Sequence, residues 1–145
     1  MIGNLHDGVV HKKLIGNTAA GKDGSAVASN ALPTAGFDRV RVCIELGAVT
    51  DDATFVASVS ACNTSTGTFK DVLSFDDDGE PVDITGESDK TIILDCPLGL
   101  GREFIKINYQ RTTHNIELDG ITLDFYGVKV VPVVQDATIS DVVAG

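Results

Sequence analysis

The sequence predicts an all-β protein, built as an antiparallel sandwich or barrel of about eight strands. Three observations carry this. Apolar residues recur with a period of two in several separate stretches, the mark of strands with one buried face. Clusters of Gly, Asn, Asp, Ser, Thr and Pro separate those stretches at spacings of roughly 8–15 residues. No window of about a dozen residues places apolar positions at the 3.6-residue period of an amphipathic helix.

The clearest strand is 37–46, where Val40, Val42, Ile44 and Leu46 fall on one face and Arg39, Arg41, Cys43 and Glu45 on the other. Turn residues over 47–52 interrupt it. Alternation resumes over 53–61, with Phe55, Ala57, Val59 and Ala61 inward and Thr54, Val56, Ser58 and Ser60 outward. The polar turn 63–67 leads into a partner strand over 68–73. The acidic run Asp76-Asp77-Asp78-Gly79-Glu80-Pro81 reads as a surface loop, because like charges at that density repel one another. Strands follow over 90–95, with Ile92, Leu94 and Cys96 on one face, and over 104–110, with Ile105, Ile107 and Tyr109 on one face.

The stretch 116–131 is one long β-prone run with a change of parity. Ile116 and Leu118 share one face, whereas Ile121, Leu123 and Phe125 require the register to shift at Asp119-Gly120. A bulge or tight turn at a glycine of positive φ explains this. Pro132 cannot donate to a ladder, so the strand ends there or lies on an edge. Residues 1–35 are the least regular part. Residues 9–15 form a short strand interrupted by His11, Lys12 and Lys13, 16–25 read as a mobile loop, and 26–32 as a further short strand stopped by Pro33. The organisation is one domain overall: an irregular N-terminal arm over 1–35, a core over 36–134 and a tail over 135–145.

The chain has 145 residues and a net charge of −10, with 43% hydrophobic and 22% charged residues, an ordinary composition for a globular domain. The acidity argues against nucleic acid, which needs clustered Lys and Arg, and against an anionic membrane surface. No signal peptide and no membrane-spanning run is expected. Three cysteines, Cys43, Cys62 and Cys96, make a poor disulfide framework and read as reduced, buried thiols.

No cofactor, metal or catalytic site emerges. The acidic run lacks the EF-hand spacing. His6, His11 and His114 are far apart and have no further ligand types at metal spacing. The segment Gly16-Asn17-Thr18-Ala19-Ala20-Gly21-Lys22 matches a phosphate-binding loop over seven positions, but Asp23 stands where Ser or Thr would hold Mg²⁺ and no helix follows. No nucleophile elbow is present. Arg39 and Arg41 fit surface ion pairing with Glu45 or contact with an acidic or polar partner.

The order of these segments resembles small structural proteins of tailed bacteriophages. The residues that carry it are Gly36-Phe37-Asp38 before a Val/Ile strand ending in Leu46-Gly47, then Thr50-Asp51-Asp52-Ala53-Thr54-Phe55 and Thr66-Gly67-Thr68-Phe69-Lys70-Asp71-Val72. Lys90-Thr91-Ile92-Ile93-Leu94-Asp95, Gly101-Arg102 and Phe104-Ile105-Lys106-Ile107 complete it. The similarity covers about 26–133. It implies a jelly-roll β-sandwich and, among such proteins, a capsid decoration (cement) protein. That protein would be a homotrimer, assembled in the host cytoplasm, which binds and stabilises the major capsid protein lattice at the virion surface. No enzymatic turnover is implied.

Its contacts are then expected from the arm over 1–30 and an exposed edge over 128–134, by strand addition and buried apolar area. The residues singled out are Leu5, Val9, Val10, Lys12, Lys13, Arg39, Arg41, Val128 and Val130. A competing expectation is a ligand- or glycan-binding sandwich module of a tail or head fibre. It would need open aromatic rings, for which Tyr109 and Tyr126 are the tyrosines to hand.

Overall fold

A computed structural model describes residues 9–76 and 78–128. Leu5, His6, Asp77, Val130, Pro132 and the tail over 135–145 lie outside the described residues. The strands are β1 (Val9–Ile15), β2 (Thr18–Gly21), β3 (Val27–Ala28), β4 (Leu32–Pro33), β5 (Phe37–Val49), β6 (Thr54–Cys62), β7 (Lys70–Ser74), β8 (Val82–Asp83), β9 (Thr91–Pro97), β10 (Phe104–Thr113) and β11 (Ile116–Val128).

They form two antiparallel sheets. One runs β1-β11-β5-β9 with β2 also on β11; the other runs β3-β10-β6-β7 with β4 also on β10 and β8 also on β6. Where two short strands share a partner they occupy one position. Eight positions result, ordered 1-8-3-6 and 2-7-4-5, the double Greek key of a jelly roll.

The core lies between the sheets and follows the alternation. Val40, Val42, Ile44 and Leu46 of β5 and Ile121, Leu123 and Phe125 of β11 face Phe55, Ala57 and Val59 of β6 and Ile105 and Ile107 of β10, all buried. Each large aliphatic side chain so removed from water contributes roughly 1.5–3 kcal/mol. Phe55 also stacks on Tyr109, with ring centroids 6.2 Å apart.

The parity change in β11 is present: its pairing with β5 slips between Ile116 and Leu118 and again between Leu118 and Gly120. Its cause differs from the expectation. Gly120 is not among the glycines of positive φ; instead a Cβ there would stand 3.2 Å from the Ile15 carbonyl oxygen. Close approach of β1, not a left-handed conformation, calls for glycine.

Residues 9–35 are more regular than expected. β1 pairs with β11 from Val9↔Tyr126 to Ile15↔Ile121. The expected mobile loop over 16–25 contains β2, paired with β11 at Gly21↔Ile116 and Thr18↔Leu118. An ion pair fixes it. Arg111 donates from Nε and Nη2 to the two carboxylate oxygens of Asp23, both at 2.9 Å, and from Nη1 to the carbonyls of Ala19 and Ile116. The two side chains are 8% and 14% exposed. This pairing explains why a Gly/Ala/Asn/Lys stretch without apolar periodicity is ordered: its partners come from the far end of the chain.

Of the expected exposed edge over 128–134, residues 129–134 lie outside the described residues. β11 is an interior strand, between β1 and β5, and Val128 pairs with Phe37. The outer strands of this sheet are β1 and β9.

The two ends of the sandwich differ in charge. At one, the 50–53, 84–90 and 114–115 turns carry Asp51, Asp52, Glu87 and Asp89 against Lys90 and His114. These turns brace one another: the Asp52 amide donates to Thr85 Oγ1 at 2.9 Å, the Val49 amide to Ser88 Oγ at 2.9 Å, and Thr50 Oγ1 to the Asn115 carbonyl at 2.8 Å. At the other end, the 34–36, 63–69 and 98–103 connections carry Arg102 and Glu103, which offset one another.

Candidate functional site

The most organised polar group among the described residues lies on the outer face of the β1-β11-β5-β9 sheet. Register creates it. His11, Asp124, Arg41 and Asp95 stand in one cross-strand row, one from each strand, and Val9, Tyr126, Arg39 and Pro97 form the next. The period of two that buries Val40 and Val42 necessarily turns Arg39 and Arg41 outward.

Asp95 is the hub. Arg39 Nε donates to its Oδ1 at 3.0 Å and Arg41 Nη2 to its Oδ2 at 3.4 Å. The Tyr126 hydroxyl donates to the same carboxylate at 2.7–2.8 Å and accepts from Arg39 Nε at 3.2 Å. The Arg41 guanidinium lies over the Tyr126 ring, 5.7 Å from its centroid, a cation–π contact. Beside them His11 Nδ1 and Asp124 Oδ1 are hydrogen-bonded. Val9, Arg41, Asp124 and Tyr126 line a shallow cavity of about 330 Å³.

Partial burial pushes the Asp95 carboxyl up, but the Tyr126 hydroxyl and the Arg39 and Arg41 guanidinium groups outweigh it and hold the carboxyl below its ordinary value. Arg39 and Arg41 are in turn held above theirs, chiefly by hydrogen bonds to Asp95. Two guanidinium groups thus share one carboxylate, and their side chains remain 42% and 49% exposed. The arrangement holds fixed, half-solvated donors for an acidic or carbonyl-rich surface. It contains no nucleophile–base pair.

Several residues singled out from the sequence come together here and others do not. Val9, Arg39 and Arg41 join the group. The ion-pair partner of the arginines is Asp95, not Glu45, since Asp95 faces Arg41 directly across the β5–β9 ladder. Val10 and Lys12 sit opposite Phe125 and Leu123 on the other side of β1, and Lys13 opposite Thr122 on the outer face. Val128 is described in its backbone alone. Sequence reading missed Asp95, Tyr126 as a hydrogen-bond donor, and the Asp124–His11 pair; alternate polar residues in 91–97 and 121–128 were the signal.

The aromatic rings that a glycan platform needs are occupied. Tyr109 is 8% exposed, and Arg41 covers Tyr126. Asp76 spends a carboxylate oxygen on the Glu80 amide. Among the described residues no three His, Cys, Asp or Glu side chains converge as a metal site. Cys96 is buried while Cys43 and Cys62 are half-buried, all three as free thiols.

Neither the protein-family models nor the curated proteins compared with this chain give a match.

Proposed function

We propose that the chain is a bacteriophage virion structural protein, a decoration (cement) subunit that binds the major capsid protein lattice without covalent linkage and stabilises the head. The observation that carries this reading is the strand order 1-8-3-6 and 2-7-4-5, an architecture that viral capsid domains share. A fold alone hosts many functions. The segments resembling phage structural proteins add weight, because they fall on β5, β6, β7, β9 and β10 of this roll and on the connections that lead into them. The half-exposed arginines on a face of an acidic protein supply directed polar contacts for a partner. A lattice would multiply weak single contacts by avidity.

The test mixes purified protein with heads that lack it. Saturable, stoichiometric binding and greater heat resistance of the particle are expected, with a trimer by solution mass measurement. Protein that pellets only as its own aggregate, with or without heads, sinks the reading.

A further inference from the structure

Every buried apolar side chain among the described residues lies between Val40 and Phe125. Residues 9–33 contribute none: each is half-buried or exposed. Leu14, Ile15 and Leu32 rest against the core only in part. What holds this segment is polar. β1 and β2 pair with β11, and β3 and β4 with β10, so the segment crosses from one sheet to the other. The Asp23 amide donates to the Arg111 carbonyl at 2.8 Å and the Ser29 amide to the Ile107 carbonyl at 2.9 Å. In return the Arg111 amide donates to Asp23 Oδ2 at 3.0 Å and the Ile107 amide to Ser29 Oγ at 2.9 Å. The two-pronged grip of Arg111 on the Asp23 carboxylate sits between β2 and β3.

The segment has a fixed root. Thr34 is buried. Its amide donates to the Glu103 carbonyl at 3.0 Å and its hydroxyl to the Arg102 carbonyl at 2.6 Å. Its carbonyl accepts from the Phe37 amide at 3.1 Å, and Gly36 at φ +92° completes the turn. Beyond this root, the ladders β11-β5-β9 and β10-β6-β7 run without help from residues 9–33. Parting the segment trades hydrogen bonds within the protein for hydrogen bonds to water, whereas parting the sheets exposes the whole apolar core. Local stability follows that difference. Release also strands no buried charge, because Arg111 then regains water.

We infer that residues 9–33 form a strap that opens as one unit from a sandwich that stays folded, with the Asp23–Arg111 pair as its latch. Closed, the strap covers the β10 edge and one side of β11. Open, it bares both ladders for pairing with another chain. The inference goes beyond the head-binding reading and does not depend on it.

Native-state amide exchange on the whole chain tests this. Four amides report the strap: those of Asp23 and Ser29, and those of Ile107 and Arg111, which donate into it. Corrected for intrinsic rates, they should exchange at least tenfold faster than the amides of Lys106 and Asn108, which lie on the same strand but face β6. Ile44 is buried in the core. Ile44→Val should speed the Lys106 and Asn108 amides about three- to tenfold and leave the four strap amides unchanged, since it weakens the closed and open forms alike. Asp23→Asn should speed all four at least tenfold, since it leaves Arg111 without its counter-charge only while the strap is closed. Equal protection of all six amides, or an equal response of all six to Ile44→Val, means that strap and sandwich unfold together and overturns the proposal. If Asp23→Asn speeds the amides of residues 23 and 111 but not those of Ser29 and Ile107, the segment opens in pieces and the single unit is overturned. If it speeds none of them, the latch is overturned.

Discussion

Arg111 spends four hydrogen bonds on the Asp23 carboxylate and the carbonyls of Ala19 and Ile116. Asp23→Ala leaves that guanidinium buried without its counter-charge, and a loss of about 3 kcal/mol in urea unfolding is expected. The Asp23 carboxyl is held below its ordinary value, first by the Arg111 hydrogen bond, and Asp95 is also lowered. The stability each adds is fully present above the unfolded carboxylate value near ~3.9 and drains away as pH falls through the lower folded values. Melting temperature should therefore be flat from about pH 7 to 5 and fall below about pH 4, and Asp23→Asn should flatten the acid limb. Tyr126→Phe removes the hydroxyl that Asp95 accepts, at a cost of about 1 kcal/mol. NMR titration should then find the Asp95 carboxyl shifted upward; an unchanged value would show that the arginines alone set it. Neither hub was legible in the sequence, because an Arg in a strand looks alike whether its partner is water or a carboxylate 88 residues away.

At the scale of elements, β11 shows what pattern can and cannot reveal. Its parity change located the bulge because buried side chains must keep to one face. The reason for glycine was not readable, since it lies in the Ile15 carbonyl of a strand distant in sequence. Gly120→Val should cost about 2 kcal/mol through displacement of β1, with Gly120→Ala smaller; amide exchange localised to β1 and β11 checks this. The inward faces of β5, β6, β9 and β10 were read correctly. On β6, however, the outward Ser58 and Ser60 are buried, because Asn108 Nδ2 donates to both and Ser58 Oγ donates to Asp71. Alternation assigns a face; it does not say whether polar neighbours cover that face. β2 was missed for the converse reason, having hydrogen-bond partners but no apolar rhythm.

For the whole molecule, strand spacing pointed to a sandwich but could not order the strands. That order depends on β1 finding β11, the longest-range pairing among the described residues. The charge asymmetry between the two ends also appears only once the turns are gathered in space. If the chain decorates heads as proposed, acidic subunits crowded side by side on that surface repel one another. Saturating occupancy on heads should therefore rise as salt is raised from about 10 to 150 mM, as the screening length shortens to about 8 Å. An occupancy that falls over that range would mean attraction between opposite charges dominates instead.

The first and last described strands are antiparallel neighbours, and Val9 lies across from Tyr126. Tension applied through residues 9 and 128 would therefore load the β1–β11 ladder one rung at a time and peel it, instead of shearing all rungs together. Peeling through the seven residues of β1 brings the load to β2 and then to the Asp23–Arg111 clamp, where the carboxylate is gripped by a fork of two donors. Pulled from its ends, the protein should yield softly at first and then catch, a mechanical stop placed well inside the chain.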